Sequence, residues 1–265
     1  MKPIFIESVG IMAPGLLGWD QARTVLARAA PYVSAPLPPC KPAILPADVR
    51  RRTTDHIRLA VEIAAEATQS YGDKTASMAS VFASAEGDGA IAHDICLEVA
   101  KDSPQVSPTR FHNSVTNAAA GYWCITIGSQ APSTSVAGYD GTFAVGLLES
   151  CVQLLTDAPN VLLVVHDEPM PGPLNNVRPM SAPFGTALVF ARERSARTLA
   201  QLELELTEQG SETTLDDPGL ETLRRGNPAA RALPLLAALA MQQSTDIHLP
   251  YLPGRGLLAR VKPLT

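Results

Sequence analysis

Residues 107–150 read SPTRFHNSVTNAAAGYWCITIGSQAPSTSVAGYDGTFAVGLLES. The pattern divides into a loop, a helix over 117–129, a short buried strand over 133–137, a tight turn and a second helix over 141–156. A strand-to-helix turn holds its side chains at a helix N-terminus, where the dipole favours an anion and lowers the pKa of a thiol. Here that turn is Ala137-Gly138-Tyr139-Asp140-Gly141, and it carries no cysteine. The local scaffold suits a presented nucleophile, and the nucleophile is missing.

Working outward, the chain of 265 residues suits one domain over 1–265, and its 46% hydrophobic content is ample for a core. A net charge of −5 and no basic stripe with interleaved aromatics argue against a nucleic-acid partner. No apolar run reaches the roughly 20 residues that span a bilayer, and the N-terminus enters a strand without a signal-peptide pattern. Cys40, Cys96, Cys124 and Cys151 lack metal or disulfide spacing, so the expected compartment is the cytoplasm.

Strands are expected over 3–12, 78–84, 160–166, 186–191 and 256–262, and helices over 19–29, 55–70, 90–101 and 229–242. The helix over 55–70 carries apolar residues on more than one side and should be buried on more than one face. Residues 31–49 are proline-rich and read as an extended surface excursion, and residues 169–183 form a second proline-rich segment. Alternating Leu202, Leu204 and Leu206 mark residues 200–207 as a strand, expected to form a hairpin with 186–191. Parallel strands joined by helical crossovers define an α/β layered fold.

Six segments in order resemble the β-ketoacyl synthase (thiolase-like) superfamily. They are Ile4–Gly15 (IFIESVGIMAPG), Arg50–Ala67 (RRRTTDHIRLAVEIAAEA), Ser80–Gly89 (SVFASAEGDG), Asn117-Ala118-Ala119-Ala120-Gly121, Gly141-Thr142-Phe143-Ala144-Val145-Gly146, and Val161–Glu168. The resemblance implies a thiolase-like layered fold, essentially the N-terminal half of a ketosynthase plus a short C-terminal part. The family's catalytic cysteine falls near Gly138 or Tyr139, so Gly138, Tyr139 and Asp140 form a degenerate nucleophile turn. Its two histidine motifs, His-Gly-Thr-x-Thr and Asn-x-x-Phe-Gly-x-Gly-Gly, do not occur in the chain. The nearest subfamily is similar to the short chain length factors of aryl polyene and xanthomonadin pigment pathways, whose tail Gly226–Pro234 (GNPAARALP) also resembles.

That resemblance implies a non-catalytic subunit that pairs with a full-length ketosynthase, acts with an acyl carrier protein and needs no cofactor or metal. Phe111, His112, Asn113, Val115 and Trp123 would border the partner's acyl tunnel, and the strand bearing Ser133 and Ser135 would lie at the sheet edge against the partner. For Trp123 the alternative is plain helix core. Arg50, Arg51, Arg52 and Arg58 would contact the carrier protein, or simply form a solvated helix start.

Other readings stay open. Cys124, or Asp140 with His112, could serve a divergent acyltransferase or malonyl decarboxylase, although a free cysteine in a helix is by default a small buried hydrophobe. His166, with Asp167 and Glu168, could be an acid/base or metal site, or a strand-end histidine facing a loop. The chain could also be a purely structural partner of a ketosynthase.

Overall fold

A computed structural model describes residues 2–264. In chain order its strands are β1 (Ile4–Ala13), β2 (Leu16–Leu17), β3 (Ala79–Ala83), β4 (Ser133–Val136), β5 (Asn160–Asp167), β6 (Phe184–Ala191), β7 (Ala200–Glu208), β8 (Thr245–Leu252) and β9 (Arg255–Pro263). The helices are α1 (Trp19–Leu26), α2 (Ala47–Arg50), α3 (Asp55–Thr68), α4 (Gly89–Val99), α5 (Pro108–Asn113), α6 (Ala118–Ile127), α7 (Thr142–Thr156), α8 (Gly172–Val177), α9 (Pro218–Gly226) and α10 (Leu233–Met241). One sheet runs β4-β3-β5-β6-β1-β7-β9-β8, with the short β2 folded back on β1.

The run Val161-Leu162-Leu163-Val164-Val165 shows why the sheet is covered twice. Alternate residues of a strand face opposite sides. Val161, Leu163 and Val165 enter the core shared with α1, α7 and α10, while Leu162 and Val164 enter the core shared with α3 and α6. A strand apolar on both faces is stable only between two layers of helices. On the α3 side the approach is close: a Cβ on Gly10 of β1 would lie 2.3 Å from the Ile63 carbonyl oxygen. Only glycine lets α3 sit this near the sheet.

α3 begins where Thr54 accepts a hydrogen bond from the Ile57 amide. His56, Ile57, Leu59, Ala60, Val61, Ile63, Ala64 and Ala67 are all buried, so the helix is covered on more than one face.

Three expectations need correction. The sheet is mixed: β3 pairs in parallel with β4 and β5, whereas β6, β1, β7, β9 and β8 continue antiparallel. β7 is not the hairpin partner of β6. Both edges of β6 are already taken by β5 and β1, so β7 pairs with the start of β1 (Ile4 opposite Leu202, Ile6 opposite Ala200) and with β9. The proline-rich stretches also hold short helices, α2 in the first and α8 in the second, each with few apolar residues to announce it.

Candidate functional site: the turn before α7

β4 ends at Val136, and the chain turns through Gly138–Gly141 into α7. Tyr139 sits at φ +54°. Among the described residues, two other non-glycine residues share a positive φ, Arg28 and Gln242, and both close helices. Tyr139 alone among them occupies a strand-to-helix turn. A left-handed non-glycine residue costs about 1–3 kcal/mol and persists only where its surroundings hold it.

The holding is visible. The Thr142 hydroxyl donates to the Tyr139 carbonyl at 2.7 Å and accepts from the Gly138 amide at 3.0 Å. From below, β8 closes on the turn so tightly that a Cβ on Gly141 would lie 2.0 Å from the Tyr251 carbonyl oxygen. Of the three residues of the turn singled out above, Tyr139 takes the left-handed conformation and is the most exposed.

Tyr139 is 63% exposed, and the Arg178 guanidinium lies over its ring, 3.5 Å from the centroid. Arg178 also binds Glu86 Oε1 at 2.9 Å and Asp140 Oδ1 at 2.7 Å. Burial pulls the Arg178 pKa down, but the hydrogen bonds it donates to Asp140 and Glu86 outweigh it and leave it raised. Sequence reasoning missed the roles of Arg178 and Glu86: they come from separate loops, Arg178 belongs to no motif, and nothing in the Ser80–Gly89 segment singles out Glu86.

No thiol stands at this helix start. Cys151 lies deep in α7, where burial pushes its thiol well up. Cys40 is buried as well, and desolvation, with the charges of Glu62 and Glu168, pushes it up to about 12. Cys124 is half-buried on α6, which corrects its default assignment to the core. The pairing of Asp140 with His112 does not form: Asp140 is held by Arg178, and His112 stands edge-on to the Tyr122 ring, centroids 6.2 Å apart.

The remaining site candidates divide by exposure. The loop before α6 is partly helical, as α5, and displays Phe111 (64% exposed) and Val115. Asn113 turns inward instead: its amide donates to the Arg52 carbonyl at 2.7 Å and its oxygen accepts from the Tyr122 hydroxyl at 3.0 Å. Trp123 is 2% exposed in the α3–α6 core and does not share a surface with Phe111. The strand over 133–137 is not buried as expected: β4 is an edge strand, with Ser133 exposed and Ser135 half-buried, and the Ser135 hydroxyl has no partner among the described residues.

The arginine cluster does not open α3. Arg50 ends α2 and Arg51 and Arg52 follow it, a helix end where cations are favourable. Only Arg58 belongs to α3, and it binds Asp55 and the carbonyls of Arg50 and Thr53.

His166 does not face a loop. It continues the even-numbered face of β5 and meets His56 of α3, ring centroids 4.2 Å apart, with Phe82 edge-on. Burial holds His56 down to about 4, and burial with the neighbouring imidazole holds His166 well below its usual range. Both rings are neutral at pH 7. Behind them, burial raises the Asp167 carboxyl to about 7, although Ser84 and Ala85 donate to it. Its neighbour Glu168 is raised to about 8 by burial and by Asp55 and Asp88. Among the described residues no group of three or more His, Cys, Asp or Glu side chains could hold a metal ion.

The family model for the β-ketoacyl synthase N-terminal domain matches residues 19–248. The chain belongs to the β-ketoacyl synthase family, and its layered sheet is the thiolase-like fold of that family's N-terminal half. No curated protein matches it. Its fold is similar to a chain in the complex of the ketosynthase ApeO with its chain length factor ApeC from Xenorhabdus doucetiae, at 21% identity and TM-score 0.72, covering 98% of this chain and 100% of that one. It is also similar to a chain in AntDE:AntF, a type II PKS acyl-carrier protein in complex with its ketosynthase bound to the hexaketide, at 10% identity and TM-score 0.75, covering 99% of each. Against the ketosynthase from module 1 of the bacillaene synthase of Bacillus amyloliquefaciens FZB42, at 13% identity and TM-score 0.58, it aligns over 80% of its own length and 47% of that chain. Among the described residues no helix is long and apolar enough to cross a membrane.

Proposed function

We propose that this chain is a non-catalytic subunit of the chain-length-factor type, which pairs in the cytoplasm with an active ketosynthase and shapes that partner's acyl tunnel. The observation that carries the reading is Tyr139. The one strained, outward-facing position of the strand-to-helix turn holds a phenol clamped by Arg178 rather than a thiol. Covalent acyl transfer needs an activated nucleophile, and decarboxylative condensation needs acid/base groups beside it. The buried, neutral His56–His166 pair contacts α3 and β5 rather than this turn.

The free edge of β4 supports pairing with a second chain, since an unpaired edge strand is a template for another. Exposed Phe111, His112 and Val115, on α5 and the turn after it, supply bulk that could limit a growing chain. Arg51 and Arg52 are exposed cations suited to an acidic carrier protein. The product class we assign is the polyene chain of aryl polyene or xanthomonadin pigments.

Co-expression with a Cys-His-His ketosynthase tests this reading. The expected result is a stoichiometric heterodimer that condenses malonyl and acyl carrier-protein thioesters only while the partner's cysteine is intact. Turnover of acyl thioesters by this chain alone would overturn it.

A further inference from the structure

The connection from β6 to β7, residues 192–199, reads RERSARTL and holds three arginines within six positions. It crosses the amino end of β1, which lies between those two strands in the sheet. There a cavity of about 370 Å³ opens between the loop, the start of β5 at Pro159 and Asn160, and Glu7 of β1. Arg192, Arg194 and Arg197 all line it, and all three are exposed, so solvent reaches their charged ends. β3, β4 and β5 run parallel, and Tyr139 follows the carboxyl end of β4. The cavity, at the amino end of β5, therefore lies at the opposite end of the sheet from the Tyr139 turn.

Two of the three guanidiniums are fixed in place. Arg192 donates from Nε to the Leu154 carbonyl at 2.6 Å and from Nη2 to the Ala158 carbonyl at 3.1 Å. Both acceptors are neutral, so its charge stays unpaired and most of its N–H fork is unused. Arg197 lies over the Tyr71 ring, 4.5 Å from the centroid, with its Nε 3.7 Å from Glu7 Oε2. Arg194 has no acceptor among the described residues. The acidic groups here are Glu7 and Glu193. Glu7 is buried and already accepts from the Tyr71 and Ser195 hydroxyls, and Glu193 is exposed. The balance around the cavity is positive, and guanidiniums gathered in one short loop repel one another until an anion sits among them.

We propose that this cavity binds a phosphoryl dianion, held by Arg192, Arg194 and Arg197. A guanidinium presents paired N–H groups in one plane, which match two oxygens of a phosphate. Arg192 is anchored on the carbonyls at the end of α7 and Arg197 on Tyr71, so little side-chain freedom is lost when the anion arrives. A carboxylate, with one charge and two oxygens, cannot engage three guanidiniums as a phosphate does. Inorganic phosphates and phosphate monoesters share this chemistry. The site is independent of the Tyr139 turn and of the proposed pairing.

The test is calorimetric titration of the protein as isolated, at physiological ionic strength, with pyrophosphate, with phenyl phosphate and with benzoate. Saturable binding of a phosphoryl compound is expected, with benzoate at least tenfold weaker. Arg194→Gln and Arg197→Gln should each weaken it at least tenfold. Arg194 contacts no other described side chain, so its variant keeps the fold and decides the matter should Arg197→Gln unfold. Arg225→Gln removes one exposed charge outside the cavity and should leave binding unchanged. Binding of pyrophosphate alone supports the site with an inorganic phosphate as ligand; binding of phenyl phosphate supports it with a phosphate ester. If neither binds, if benzoate binds as well, if Arg194→Gln binds as tightly as the natural sequence, or if Arg225→Gln loses as much as Arg194→Gln, the proposal fails.

Discussion

Arg178 and Tyr139, 39 positions apart, meet face to face, the guanidinium 3.5 Å from the ring centroid. This contact ties the segment after α8 to the turn before α7, and the ion pairs with Glu86 and Asp140 extend the tie to the loop after β3. Cation–π contacts of this kind contribute about 0.5–2 kcal/mol. Arg178→Ala should therefore lower stability by about 1–3 kcal/mol, because it also strands two carboxylates. Arg178→Lys should recover only part, since an ammonium cannot both stack on the ring and fork between two acids. Denaturant unfolding of the three proteins checks the order.

Tyr139→Cys would place a thiol at the head of α7. Its reaction with iodoacetamide at pH 7 should outpace that of the half-buried Cys124, measured by mass spectrometry of the modified peptides. The variant should still not condense malonyl thioesters. Slow labelling of the new thiol would show that the turn does not present its side chain as the geometry indicates.

Phe111→Ala should change stability by no more than about 0.5 kcal/mol, because the ring is largely exposed. In a heterodimer with an active ketosynthase it should shift the product distribution toward longer chains. Unchanged product length with intact pairing would favour a purely structural role for this chain.

One buried and one half-buried group set opposite pH limits. His56 has its pKa depressed to about 4, so its contribution is complete above the ordinary 6.5 and is lost as pH falls through about 4. Glu168 is raised to about 8, so its contribution is complete below the ordinary 4.5 and is lost as pH rises through about 8. The stability difference between Glu168→Gln and the natural sequence should therefore grow in the variant's favour from pH 4.5 to 8 and level off above. The corresponding difference for His56→Gln should grow in the variant's favour as pH falls from 6.5 to 4. A flat difference in either series would contradict the burial that shifts these groups.

Gly10→Ala should destabilise by about 1–3 kcal/mol, since the added methyl meets the backbone of α3, which cannot move without opening the core. Thermal unfolding of the variant measures it.

Local pattern carried much of this protein. The apolar run Val161–Val165, the alternation at Leu202 and Leu204, and the turn Gly138–Gly141 each depend on neighbours in the chain. Their elements stand where the periodicities place them. The family motifs around Asn117 and Gly141 carried the fold class for the same reason: they encode a helix start and a turn. Tertiary structure alone decided the rest. The insertion of β1 between β6 and β7 depends on which sheet edge is free, and no local propensity records that. Arg178, Glu86 and Tyr139 come together from three loops, and His56 meets His166 across a helix–sheet interface. Those contacts set burial and charge, and burial and charge, rather than residue type, decide what each group can do.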